Sequence, residues 1–228
     1  MHVIMIEQCR YKGCDNVSID DLPSCAYCTL MGIYVLRHAD KEKGEFYQHG
    51  LRFNNQPITE EGKRKAEKLV PFFDPIHIDA IYVSEYVRTQ QTISNVATHK
   101  KLTPIVDKRL NEIDVGVTEQ MTDGQIQSTY PDFWHDYFTR SCEFRIPGGE
   151  TGEEAAKRIM GLFSSLDRDK HHILVTHEGL IRILVCTVLS MPPYRRHLFK
   201  IDPCSITLFE YLPEFNCWSI PKINMEVR

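Results

Sequence analysis

Four side chains in this sequence are of the types that handle a phosphoryl group, and each stands beside a short apolar run. Arg37 and His38 close the run GIYVL (32–36), Arg88 follows DAIYVS (79–84), and His177 follows HILVT (172–176). Arginine presents a planar fork of N–H donors that grips oxyanions in pairs and stays charged. A neutral imidazole is a competent nucleophile toward phosphorus, and a covalent phosphohistidine splits one hard transfer into two easier steps. The charge that spreads over the transferring group then needs fixed cations around its oxygens. His38 as nucleophile, clamped by Arg37, Arg88 and His177, would meet these needs without a metal. The arginines are expected to keep His38 unprotonated, while His177 is expected to serve as a charged donor. A leaving alkoxide also needs a proton. In RLNEIDVG (109–116) Glu112 is the first candidate donor and Asp114 the reserve; the plain structural alternative is that Glu112 pairs with an arginine. Taken singly, a histidine at a strand end or an arginine in a helix is an ordinary surface group, so the argument rests on their convergence.

That convergence depends on the elements that carry them. GIYVL, AIYVS and HILVT are rich in β-branched and aromatic residues, the pattern of strands buried on both faces, and TPIVD (103–107) reads as a short strand or extended link. Between them lie amphipathic helices. TEEGKRKAEKLVPFF (59–73) has Thr59 as N-cap, and EYVRTQQTISNVATH (85–99) has Ser84 as its cap. TGEEAAKRIMGLFSSL (151–166) places Ala155, Ile159, Leu162, Phe163 and Leu166 on one stripe, and EGLIRILVCTVL (178–189) is a largely apolar helix. Two short helices broken near Pro131 are expected over 123–138, and SITLFEYL (205–212) with CWSIP (217–221) reads as a terminal hairpin. Alternating strands and helices predict an α/β fold, a layered domain with a mostly parallel central sheet over residues 31–228. In such sheets the ligand crevice lies beyond the carboxyl ends of the strands, where Arg37-His38, Ser84 with Arg88, and His177 all fall.

The formal net charge of −4 over 228 residues argues against a nucleic-acid partner. No run approaches the roughly 20 apolar residues of a membrane span, and MHVIMIEQCR lacks the basic region of a signal peptide, so a cytoplasmic location is expected. Four of the eight cysteines, Cys9, Cys14, Cys25 and Cys28, crowd into residues 1–30. Their two pairs suit a four-thiolate structural zinc site. A disordered tail of free thiols is the alternative, as is a true start at Met31 that would make the prefix dispensable for chemistry.

Six ordered segments resemble the histidine phosphatase superfamily, in its phosphoglycerate mutase-like branch: RHA (37–39), PITEEG (57–62), SEYVRTQQT (84–92), LNE (110–112), PGGET (147–151) and VTHEGLIR (175–182). The resemblance implies a three-layer α/β/α sandwich. It also implies phosphorylation of His38, phosphate binding by Arg37, Arg88 and His177, proton donation by Glu112, a small phosphorylated substrate and no catalytic cofactor. Three departures stand out. Ala39 replaces a glycine, which is expected to tighten the backbone approach to phosphate. Glu178 stands where many members have glycine, and the stretch DKEKGEFYQHGLRFNNQ (40–56) differs, leaving Arg52 and Asn55 as the substrate-recognition candidates. The leading expectation is a phosphomonoesterase. The rivals are a phosphoglycerate mutase-type transferase, a phosphohistidine-protein phosphatase, and a non-catalytic module that binds phosphorylated ligands or proteins.

Overall fold

The computed structural model describes residues 32–227. The cysteine-rich stretch with Cys9, Cys14, Cys25 and Cys28, its zinc site and the Met31 boundary lie outside the described residues. Strands β1 (Ile33–Arg37), β2 (Ala80–Val83), β3 (Ile105–Val106) and β4 (His172–Thr176) are parallel, and β5 (Ile206–Leu212) and β6 (Cys217–Met225) add an antiparallel hairpin. The sheet order is β3-β2-β4-β1-β5-β6. It is the mostly parallel α/β sheet that the sequence pattern predicts.

Alternation along the strands feeds two cores. Ile33, Val35, Leu174 and Phe209 face helices α6 (Gly152–Phe163) and α7 (Glu178–Val188), with Ile159, Leu162, Ile181 and Leu184 in the same cluster. Tyr34, Leu36, Ile81, Val83, Ile173 and Val175 face α2 (Leu69–Phe73) and α3 (Val87–Lys100) on the other side. The central strands therefore lie between two helical layers, which explains their unbroken apolar runs.

Two helix boundaries differ from expectation. The segment 59–73 is not one helix: α1 (Glu60–Glu67), capped by Thr59 as expected, stops before α2 begins. Pro71 offers no N–H to the Glu67 carbonyl one turn back, and its ring crowds that position. The helix after β2 starts at Val87 and is not capped by Ser84. Instead the side chain of Asn55 reaches across from its loop, its Oδ1 accepting the Val87 N–H at 2.8 Å. The break at Pro131 is as predicted, between α4 (Asp123–Thr129) and α5 (Pro131–Thr139).

Candidate active site

The sheet register brings the two histidines together. Arg37 stands opposite Thr176, so His38 and His177 leave adjacent parallel strands at the same level, and the His38 N–H donates to the Thr176 carbonyl at 2.9 Å. Their rings lie 5.1 Å apart. From β2, Val83 stands opposite Val175, which sets Ser84 beside His177, and α3 then supplies Arg88 from its first turn. Ser84 Oγ lies 2.9 Å from His177 Nε2, and the Arg88 guanidinium donates to His177 Nδ1 from Nη2 at 3.1 Å and Nε at 3.3 Å. Ser84 is thus a tertiary partner of a site histidine, which is why it does not cap α3.

These bonds assign the tautomers. A carbonyl only accepts, so the 2.7 Å contact of His38 Nδ1 with the Ala39 carbonyl places a proton on Nδ1 and leaves the Nε2 lone pair free. Burial, then Arg88, with smaller contributions from Arg37 and Lys41, pushes the His38 pKa down to about 3 against the opposing pull of the Ala39 carbonyl. The ring is neutral near pH 7, as the sequence predicts. His177 departs from expectation. Guanidinium only donates, so Nδ1 of His177 accepts and Nε2–H donates to Ser84. Complete burial, followed by the charge of Arg88, holds its pKa well below the ordinary imidazole value. With Arg88 donating to its Nδ1, His177 is a neutral acceptor, not a charged donor.

Around the histidines the backbone and the cations are tightly held. Thr92 Oγ1 accepts the Ala39 N–H at 2.9 Å and donates to the Arg88 carbonyl at 2.6 Å, fixing both chain segments. Tyr86 lies under the Arg88 guanidinium at 4.5 Å and edge-on to His177 at 5.5 Å. Arg37 donates to the Ile201 carbonyl and pairs with Glu178 at 3.0 Å, while its buried Nε has no acceptor among the described residues. Glu178 also binds Arg182, so the acid that departs from the family pattern bridges two arginines. Ala39, the other departure, is accommodated sideways: it packs with Ile58, Ala66 and Cys204. Space for it exists because a Cβ at Gly62 would lie 3.2 Å from that of Ala39. Lys41 was not predicted. Three residues after His38, with Nζ on Gln56 Oε1 at 3.0 Å, it acts electrostatically on both histidines; its position on the same strand exit is the signal that could have found it.

Among the described residues Glu112 forms no ion pair with an arginine. Its carboxylate accepts the N–H groups of Gly179 (3.2 Å) and Leu180 (3.1 Å) at the start of α7, and that of Ile113 (2.9 Å). Gly179 permits this approach, since a Cβ there would come within 2.7 Å of Glu112 Oε1. The loop that carries Glu112 is anchored by Thr176 Oγ1 on the Leu110 carbonyl and by Arg158 on the carbonyls of Arg109 and Glu112. Asp114 is occupied elsewhere: Oδ1 accepts the Gly116 N–H and Oδ2 pairs with Arg52. Arg52 in turn donates to the Gly148 carbonyl, tying the 40–56 loop to the segment before α6. Arg52, Phe53, Tyr86, Asn111, Glu112 and Asp114 line a cleft of about 410 Å³. Asn55 is buried, with Oδ1 on Val87 and Nδ2 on Gln48 at 2.6 Å, so both ends of its amide serve the loop. Among the described residues no group of three or more histidine, cysteine or acidic side chains is arranged to hold a metal ion. No described helix is long and apolar enough to cross a membrane.

Comparison with known proteins bears on this arrangement. Residues 33–224 match the family model of the histidine phosphatase superfamily, branch 1. A probable phosphoglycerate mutase GpmB of Cronobacter sakazakii is 26% identical over 186 residues, 80% of this chain and 86% of the relative. A 6-phosphofructo-2-kinase/fructose-2,6-bisphosphatase of Caenorhabditis elegans is 28% identical over 203 residues, 82% of this chain but 43% of that protein. Among solved structures, the alpha-ribazole phosphatase of Shigella flexneri superimposes with a TM-score of 0.71 at 19% identity, covering 86% of this chain and 98% of that one. A mycobacterial glucosyl-3-phosphoglycerate phosphatase in complex with inorganic phosphate gives 0.70 at 21% identity, covering 86% and 98%. With the family model spanning nearly all of the described chain and the fold shared with these structures, the chain belongs to the histidine phosphatase superfamily.

Proposed function

We propose that this chain is a metal-independent phosphomonoesterase that works through a phosphohistidine at His38. The observation that carries the reading is the state of that ring: buried, neutral, and with Nε2 left as its free lone pair by the Nδ1–H bond to Ala39. In the first step Nε2 attacks phosphorus as the ester P–O bond breaks. The leaving oxygen takes a proton from Glu112, and the Ala39 carbonyl stabilises the positive charge that the phosphorylated ring gains. Arg37 and Arg88 hold the transferring oxygens; as Arg88 turns from His177 Nδ1 to the anion, Nδ1 takes the proton that a phosphate monoanion brings and donates it back as a hydrogen bond to the same group. In the second step water attacks phosphorus, Glu112 takes its proton, and neutral His38 and inorganic phosphate are released.

Glu112 is preferred to Asp114 as donor because Asp114 is held in an ion pair with Arg52, whereas the bonds that Glu112 makes among the described residues come from backbone N–H groups. Arg52 and Asn55 shape the leaving-group side, Arg52 directly from the cleft wall and Asn55 by fixing its loop. The names of the mutase relatives favour a second reading, in which the phosphoryl group returns to another oxygen of the substrate. Brief mixing with a 32P-labelled ester followed by a denaturing quench tests the mechanism: acid-labile, base-stable label on His38 is expected, and none in His38→Ala. An active protein that carries no such label would refute it. Label chased into inorganic phosphate identifies a phosphatase; label chased into an isomeric ester identifies a mutase.

A further inference from the structure

Glu178 puts an acid where a pocket for anions has least use for one. One carboxylate oxygen lies 3.0 Å from Arg37 Nη2, and the other binds Arg182. Arg37 closes β1, next to His38, and is one of the two arginines assigned above to the transferring oxygens. The ion pair therefore engages a group of the reacting site itself. A guanidinium offers an oxyanion two forks, one from Nε to Nη2 and one from Nη1 to Nη2. Both include Nη2, the nitrogen that Glu178 holds, while Nη1 already donates to the Ile201 carbonyl at 2.5 Å. Nε is buried with no acceptor among the described residues.

A phosphate that grips Arg37 at two points must then either take the place of the carboxylate or lie against it, and two anions on one nitrogen repel. Arg88 is held differently. Its bonds among the described residues go to neutral acceptors, His177 Nδ1 and the Asn54 carbonyl, which yield to an anion without a contest of charge. Which member of the Arg37–Glu178 pair moves follows from how each is mounted. Glu178 is the first residue of α7, where the positive end of the helix favours an acid, and Arg182 holds it from one turn further on. The carboxylate is fixed from two sides, so the long side chain of Arg37, rich in rotamers, is the part that turns.

We propose that Glu178 is an internal competitor of phosphate for Arg37. It keeps the affinity of the pocket for inorganic phosphate low, so that the product leaves readily. The meaning of that release rests on the phosphomonoesterase reading; the competition itself is a property of binding.

Titration calorimetry of inorganic phosphate into the full-length protein tests this without turnover. Glu178→Gln keeps the shape of the side chain and removes its charge, and is expected to bind phosphate about ten-fold tighter than wild type. The ratio should persist in about 0.5 M sodium chloride, because salt screens a distant charge far more than a direct contact. On an Arg37→Met background the gain should shrink to about two-fold. Equal or weaker affinity in Glu178→Gln overturns the proposal. So does a gain that vanishes in salt, the mark of a distant charge, or one that stays complete without Arg37. Glu178→Ala supplies the same comparison if Glu178→Gln does not fold. Wild-type turnover of p-nitrophenyl phosphate is read separately. Its absence, with phosphate bound tighter by Glu178→Gln, would sink the phosphatase reading and leave the competition standing; turnover with unchanged phosphate affinity in the variant would do the reverse.

Discussion

The ends of the parallel strands and the rim around them hold their polar groups in different ways. At the strand ends His38, Ser84, Arg88 and His177 are buried, and each is bonded to another buried group or to the backbone of a neighbouring strand or helix. At the rim, Arg52 is exposed and held by one carboxylate and one carbonyl, and Lys41 by one glutamine. Moving a strand-end group means breaking the sheet or leaving a buried polar atom unpaired, whereas rim groups exchange readily with water. The strand-end groups are thereby tied to the fold itself, whereas the rim groups sit on segments that vary at little cost.

Substitutions on either side of that division put it to the test. The largest effect is expected for Glu112→Gln, which keeps the shape of the group at the start of α7 but cannot give a proton. Steady-state kcat for an alkyl phosphate should fall by roughly 10²- to 10⁴-fold, while p-nitrophenyl phosphate, whose leaving group needs no proton, should lose about ten-fold or less. Equal losses for both esters would remove Glu112 from the role of acid.

Next in size is a pH effect on stability. Between about pH 3 and 6.5 the unfolded chain binds a proton at His38 that the folded chain does not. Stability therefore rises with pH through that window and is lost on acidification. From pH 6.5 to 5 this one group accounts for about 2 kcal/mol, and His177 acts in the same direction. Urea midpoints at the two pH values should show a clearly shallower loss in His38→Asn; an unchanged slope would mean that the ring is not held neutral by the fold.

The smallest effect is expected at the rim. Arg52→Ala should change stability by no more than about 1 kcal/mol, because its pairing with Asp114 is half-exposed. It should raise KM by about five-fold with kcat nearly constant, the pattern of lost uniform binding. A large fall in kcat would erase the distinction between rim and strand ends.

How far the sequence could be read follows the same line. The strands were legible because burial on both faces leaves an unbroken apolar run, and the strand-end rule then located His38, Arg88 and His177. The proton on His177 was not legible. It depends on two Arg88 donors and on complete burial, both products of α3 packing over β4. Ser84 was misread as a helix cap because propensity sees only its neighbours in the chain, and its partner is 93 residues away. Asn55 stands out in the sequence as a substrate-recognition candidate and Asp114 as a reserve acid, and their roles as loop fasteners are hidden for the same reason. Thr92 closes the motif SEYVRTQQT, but its hold on Ala39 emerges only when the segment after β1 is laid against α3.

The bridge that Glu178 makes between Arg37 and Arg182 reaches beyond local geometry. A carboxylate built into the anion pocket cancels much of the field that its arginines would otherwise project into solvent. Counter-ions in the medium then have little left to screen, and an incoming anion would be met on contact instead of being drawn in from a distance. Such a site should capture its ligand almost as well in concentrated salt as in dilute buffer.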